Sequence, residues 1–169
     1  MNHRTIILSQ SEIMAKLKRI AFQIYEQNFG EEEIILLGID ERGGYLAAKT
    51  QALLADISPF KIKIYQTLVE REKVVGMMPM ISVGGFPDVK GKPVIVIDDV
   101  LYSGRTLLSV VAQILTQSPK RIQTMVLIDR GHRQMPISPD YVGMELATSL
   151  QQHVYFEVQP DKEALAYLA

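Results

Sequence analysis

The chain has 169 residues, 47% of them apolar, with a net charge of −1 and a pI near 6.3. That length suits one domain with a sizeable core, and no apolar run approaches the roughly 18 residues of a membrane span. There is no cysteine, which excludes disulfides, thiolate metal sites and a cysteine nucleophile. The near-neutral charge excludes a molecule whose whole surface attracts nucleic acid.

Met1-Asn2-His3-Arg4 lacks the apolar core of a signal peptide, so a cytoplasmic location is expected. Ser9-Gln10-Ser11-Glu12 reads as a capping box opening a helix. Ile13, Leu17, Ile20, Ala21 and Ile24 then share one face, and Gly30 ends the segment. Ile34-Ile35-Leu36-Leu37-Gly38-Ile39 is a continuous apolar run, expected of a strand buried on both faces. Gly43-Gly44 breaks it, and Tyr45 to Ile57 reads as a second helix. Lys61 to Thr67 alternates as a strand. Residues 68 to 92 are the least regular part; Met77-Met78-Pro79-Met80, with glycines on either side, reads as a mobile lid without regular structure. A third apolar strand, 93 to 98, leads to a helix at about 104 to 117. Arg121 to Asp129 is a fourth strand, and Val154, Phe156 and Val158 alternate as a late one.

Strands separated by helices predict an α/β fold, a mainly parallel sheet flanked by helices. In such sheets ligands sit beyond the carboxyl ends of the strands. Asp40 to Gly44, Asp98 to Thr106 and Asp129 to Arg133 all fall there. They converge at one rim if their strands are neighbours.

The most informative stretch runs from Val94-Ile95-Val96-Ile97 into Asp98-Asp99-Val100-Leu101-Tyr102-Ser103-Gly104-Arg105-Thr106. A strand delivers two carboxylates beside a small, hydroxyl-rich turn at a helix start, where backbone N–H groups can cradle a phosphate. Adjacent acids repel, so the pair is a poor choice without a ligand to satisfy it. A ribose phosphate needs both features: acceptors for sugar hydroxyls and donors for a phosphate.

This stretch resembles, position for position, the signature that binds 5-phosphoribosyl 1-pyrophosphate (PRPP) in type I phosphoribosyltransferases. The resemblance implies that fold as a single domain over 1–169, with a flexible hood at about 65–92. It implies that Asp98 and Asp99 are catalytic, holding the ribose hydroxyls, and that Asp98, Asp99, Val100, Leu101, Tyr102, Ser103, Gly104, Arg105 and Thr106 bind PRPP. Glu41, Arg42 and Gly43 then stand in the pyrophosphate loop, which in this family often carries a non-proline cis peptide. Arg42 is the third catalytic candidate, by charge-assisted bonds to pyrophosphate. Asp40 and Glu41 are awkward beside that anion unless Mg²⁺ lies between; Mg²⁺ is the expected cofactor, held mainly by PRPP.

Asp129-Arg130-Gly131-His132-Arg133 closes the fourth strand, with Asp140-Tyr141-Val142-Gly143 downstream. This pattern resembles one branch of the family, the bifunctional pyrimidine-operon attenuator/uracil phosphoribosyltransferases. It places Asp129, Arg130 and Arg133 on the base side, with His132 structural or exposed. Tyr102 stands where purine-salvage relatives carry an aspartate. A phenol titrates near pH 10 and is no base at neutrality, which points to a pyrimidine. The implied partners are PRPP, a nucleobase (uracil), a nucleoside monophosphate, pyrophosphate and a second copy of the chain.

Two departures matter. The regulators' RNA face would include positions 18, 19, 22, 133, 138 and 144; Lys18, Arg19 and Arg133 suit it, whereas Phe22, Ser138 and Met144 bring no positive charge. An RNA-binding, nucleotide-sensing regulator is therefore the alternative, with weak or absent RNA binding expected. The family's hood carries Tyr-Arg-Asp-Asp where this chain reads Tyr65-Gln66-Thr67-Leu68. Glu70-Arg71-Glu72-Lys73 either supplies the hood's charges or is a solvated loop.

Overall fold

In chain order the elements are β1 (Thr5–Leu8), α1 (Gln10–Gln27), β2 (Glu33–Ile39), α2 (Asp40–Ala55), β3 (Lys61–Val75), β4 (Met78–Ser82), β5 (Pro93–Leu101), α3 (Arg105–Leu115), β6 (Arg121–Asp129), β7 (Tyr141–Glu145), β8 (Val154–Glu157) and β9 (Leu165–Leu168). The computed structural model describes residues 4–75, 78–82, 87–147, 149, 152–159 and 162–169, with backbone alone at 71–75 and 78–82.

The main sheet has the order β4-β3-β2-β5-β6-β7. β3, β2, β5, β6 and β7 run parallel, and β4 is antiparallel to β3. Alternate residues of the apolar strands feed two cores. Ile34, Leu36, Ile95 and Ile97 join Ile13, Leu17, Ile20 and Ile24 of α1 and Leu46 of α2. Ile35, Leu37, Val94 and Val96 join Leu107, Val110 and Ile114 of α3. Burial on both faces is why these strands are continuously apolar rather than alternating.

Helix α1 starts as its sequence predicts. Ser9 is the N-cap, its Oγ accepts from the Glu12 N–H, and the Glu12 carboxylate accepts from the Ser9 N–H at 2.8 Å. Its buried residues are Ile13, Leu17, Ile20, Ala21 and Ile24, the expected stripe. A separate antiparallel sheet, β1-β9-β8, pairs the two ends of the chain and sets Phe156, Ala164 and Ala166 against the α1 core.

Three expectations are corrected. The second helix begins at Asp40 rather than Tyr45, so Gly43 and Gly44 lie inside it. The third strand continues past 98 to Leu101. Residues 68 to 92 are not irregular throughout: β3 runs on to Val75 and pairs with β4, Leu68 opposite Ser82 and Val75 opposite Met78. Of the expected lid, Met78-Pro79-Met80 belongs to β4; Met77 and the flanking Gly76, Gly84 and Gly85 fall outside the described residues, as do the side chains of Arg71-Glu72-Lys73. Among the described residues no helix is long and apolar enough to cross a membrane.

Candidate active site

From β2 the chain passes through α2 to β3 on one side; from β5 it passes through α3 to β6 on the other. Strand order therefore reverses between β2 and β5, and the crevice beyond their carboxyl ends is the expected ligand site. The three sequence segments meet there, at the ends of the neighbouring strands β2, β5 and β6.

Asp98 is buried and Asp99 half-buried. The Asp98 carboxylate accepts from the Asp99 N–H at 2.9 Å, and Asp99 Oδ1 accepts from the Val100 N–H at 2.8 Å. Across the crevice, Arg42 Nη1 lies 3.4 Å from Asp99 Oδ2. That ion pair joins the first turn of α2 to the end of β5.

The turn after β5 holds one long internal bond, from the Arg105 N–H to Ser103 Oγ at 3.4 Å, and takes further support from outside itself. Gly104 is the N-cap of α3 at φ +83, and it makes no side-chain cap. A Cβ at Gly104 would lie 2.7 Å from Ile137 Cγ2. The Ser103 carbonyl accepts from the N–H groups of Gln134 (2.9 Å) and Met135 (3.1 Å). Arg105 turns toward Gln134 Oε1, 3.4 Å away. Asp98 to Gly104, Thr106 and Leu107 line a cleft of about 240 Å³.

Glycines hold α2 against the sheet. A Cβ on Gly38 would meet the Gly43 carbonyl carbon at 2.5 Å, and one on Gly43 would meet Ile97 O at 2.4 Å. Glu41, Arg42 and Gly43 thus form the helix's first turn, its positive dipole end facing the crevice. The peptide bonds here are trans, whereas the family's loop often holds a cis one. Asp40 instead adopts φ +53, and its carboxylate accepts from the Val69 N–H at 2.9 Å. Asp40 is thereby directed to the base of the β3–β4 hairpin, a role no local pattern announced. Of the two acids that seem awkward beside pyrophosphate, Asp40 has a backbone partner.

On the base side, Asp129 Oδ1 accepts from the Gly131 N–H at 2.9 Å and Oδ2 pairs with the Arg133 guanidinium. Arg130 is buried; its guanidinium lies over the Tyr102 ring, 4.5 Å from the centroid, and donates to the carbonyls of Ser149 and Gln152. His132 meets the edge of the same ring at 5.9 Å. Asp129, Arg130, Gly131, Arg133, Glu145, Leu146 and Ala147 line a second cleft of about 200 Å³. The sequence reading missed the last three, which sit at the end of β7; the one signal was the nearby Asp140-Tyr141-Val142-Gly143.

A larger cleft, about 520 Å³, lies at the opposite rim between Gly30–Glu33, Gly91–Pro93 and Lys120. Glu33 pairs there with Lys92 (2.9 Å) and with Lys63 from outside the cleft (3.2 Å), and Glu31 pairs with Lys120 (2.8 Å). The hydrogen bond from Lys92 holds the Glu33 carboxyl below its ordinary value, against the opposing effect of burial.

The phosphoribosyl transferase domain model matches residues 3–162. The bifunctional protein PyrR of Chloroflexus aurantiacus is 41% identical over 160 residues, covering 91% of this chain and 88% of its own. That of Halalkalibacterium halodurans is 40% identical, covering 88% and 87%. A hypoxanthine-guanine phosphoribosyltransferase from Bacillus anthracis shares the fold at a TM-score of 0.73 and 22% identity, over 86% of this chain and 84% of that one. Trypanosoma cruzi hypoxanthine phosphoribosyl transferase does so at 0.77 and 19%, over 86% and 79%. The match across nearly the whole chain agrees with the crevice built at β2 and β5, and the chain belongs to the phosphoribosyl transferase domain family, in the PyrR branch, as a phosphoribosyltransferase.

Proposed function

We propose that the chain transfers ribose 5-phosphate from PRPP to uracil, giving UMP and pyrophosphate. The observation that carries this is the pair of clefts side by side on one rim: acids and a helix-start turn in one, the Asp129–Arg133 pair in the other. Leu101 and Asp129 are register partners, and the Arg130 N–H donates to Leu101 O at 3.0 Å, so the clefts share a wall.

Asp98 and Asp99 accept the ribose hydroxyls, and the 102–106 turn donates to the 5′-phosphate. Arg42 exchanges Asp99 for the pyrophosphate, joined by the N–H groups of the first α2 turn. The C1–O bond to pyrophosphate breaks as the bond from C1 to uracil N1 forms, and the N1 proton is released. The oxocarbenium-like transition state needs placed charges rather than a nucleophile. The β3–β4 hairpin is the hood of a single domain, closing to exclude water from the sugar donor. Arg133, a donor, and Glu145, an acceptor, suit the mixed edge of uracil.

Mg²⁺ fits as an ion carried by the donor. Among the described residues no three His, Asp or Glu side chains converge on a metal position. A hard cation bound through one or two carboxylates and substrate phosphates needs no such cage. Asp98 and Asp99 are the residues that would help hold it, and it would neutralise charge on the leaving pyrophosphate.

Pyrophosphate release measured across nucleobases with PRPP and Mg²⁺ tests the reading. Uracil is expected to be turned over best; preferential turnover of hypoxanthine or guanine would overturn it.

The word bifunctional in the relatives' name favours a second reading, a nucleotide-sensing RNA-binding regulator. Against it, Arg19 donates to the carbonyls of Val142 (2.8 Å) and Gly143 (2.9 Å), and Phe22, Ser138 and Met144 bring no positive charge. A nanomolar leader-RNA complex in physiological salt would promote that reading. We also propose a homo-oligomer that uses the outer face of α1, where Phe22 is 44% exposed.

A further inference from the structure

We propose that Arg130 is a positioning residue for the sugar donor, acting through Tyr102 to hold the phosphate-binding turn in place. This rests on the reading that the 102–106 turn receives the 5′-phosphate.

The Arg130 residue is 5% exposed. A buried guanidinium requires partners, because its desolvation is otherwise strongly unfavourable. Here the partners come from two separate stretches of chain, 101–102 and 149–152. The guanidinium donates to the carbonyls of Ser149 and Gln152, it lies over the ring of Tyr102, and the backbone N–H donates to Leu101 O. Two of these contacts land on consecutive residues, 101 and 102, at the entrance of the turn.

Within that turn the Arg105 N–H donates to Ser103 Oγ at 3.4 Å, a long bond, and the shorter ones come from outside it. Gly104 caps α3 in a left-handed conformation without a side-chain cap. The Ser103 carbonyl is tied to Gln134 and Met135, on the far side of the same 130–137 loop. Tyr102, at 38% exposure, is the large side chain of the turn, and Arg130 holds one face of its ring while His132 meets the edge. Both ends of the 130–137 loop thus grip the start of the turn, Arg130 and His132 at Tyr102 and Gln134 and Met135 at Ser103. Arginine suits this better than lysine: a planar fork can stack on a ring and still donate to two carbonyls. With its guanidinium so engaged, Arg130 reaches the reaction through Tyr102 and not by touching the base.

The test is calorimetric binding of PRPP with Mg²⁺, beside steady-state kinetics, for Arg130→Met, Tyr102→Leu and the double variant. Arg130→Met is expected to weaken donor binding about 10-fold and raise KM for PRPP equally, with kcat changed far less. Tyr102→Leu should do the same, and the double variant should be no worse than either single one, since each breaks the same contact. Tyr102→Phe and Arg130→Lys, which keep the ring or the cation, should recover part of the loss. Additive losses in the double variant would overturn the proposal. So would intact donor binding in Arg130→Met with a raised KM for uracil, which would return Arg130 to the base side. If Arg130→Met fails to fold, Tyr102→Leu against Tyr102→Phe decides: equal donor affinities would refute the role of the ring. A wild type that binds no PRPP would remove the reading of the turn itself, and this proposal with it.

Discussion

Gly43→Ala isolates the contact that sets the width of the crevice. A methyl group at this position would lie 2.4 Å from Ile97 O and 3.2 Å from the Gly38 carbonyl carbon. Carbon–oxygen contacts settle near about 3.3 Å, so α2 must lift from β5 by roughly 0.9 Å. Both obstacles are backbone, and no rotamer relieves them. Overpacking of this kind costs about 1–3 kcal/mol, and the rigid neighbours put it at the upper end. Alanine returns at most about 1 kcal/mol in helix propensity, less in a first turn. The net loss is therefore about 2 kcal/mol. Arg42 rides on the same turn, 3.4 Å from Asp99, so the lift also misplaces it; a shift near 1 Å in a reacting constellation costs about 10²-fold in rate. Gly44→Ala is the control, because its methyl meets only the movable end of Gln66, Oε1 at 2.8 Å. Urea denaturation of both variants and pyrophosphate release by Gly43→Ala form the assay. If Gly43→Ala unfolds at the same urea concentration as Gly44→Ala, or turns over within threefold of wild type, the packing argument is wrong.

Asp98→Asn and Asp99→Asn should each cut turnover by about 10²-fold or more while circular dichroism stays native; normal kinetics in both would remove the ribose-binding role. Asn28 is fully buried, donates to Ile24 O and Gln123, and accepts from Arg121, so Asn28→Ala should cost about 2–3 kcal/mol in denaturant titrations. Glu33 has a folded pKa below its ordinary 4.5, chiefly through Lys92, so its contribution is complete above that value and lost as pH falls through the lower folded one. The stability gap between wild type and Glu33→Gln should accordingly be constant near neutrality and close on acidification; a gap that widens in acid would contradict the pairing. Phe22→Glu leaves the core stripe of α1 untouched and should dissociate the proposed homo-oligomer in sedimentation runs without unfolding the chain; a monomeric wild type, or an unchanged oligomer in the variant, would show that Phe22 anchors nothing.

Much of this molecule is local, and local order is legible. The Ser9–Glu12 capping box needs only neighbours along the chain, and it forms as read. The apolar runs at 34–39 and 124–128 become inner strands because no other placement removes so many consecutive apolar side chains from water. Asp98-Asp99 and the Ser103-Gly104-Arg105-Thr106 turn form one continuous segment, so the motif is visible before its surroundings are known.

Tertiary structure decided what depends on residues far apart in sequence. Gly43 and Gly44 read as a break because the chain does not show that Gly38 and Ile97 press against α2 from the sheet. The β1-β9-β8 sheet pairs Thr5 with Leu168, and strands of four residues carry too short a pattern to predict such a partner. Asp40 looked like a charge in the wrong place until Val69 supplied its hydrogen bond, and nothing near Arg130 in sequence shows that its guanidinium lies over Tyr102. Sequence by itself determined the capped first helix, the long apolar strands and the contiguous motif from Asp98 to Thr106, since propensity, burial and a contiguous pattern act over a few neighbours. Only the packed sheet decided how those residues divide the work, because a side chain's role follows from the partner its fold places within bonding distance.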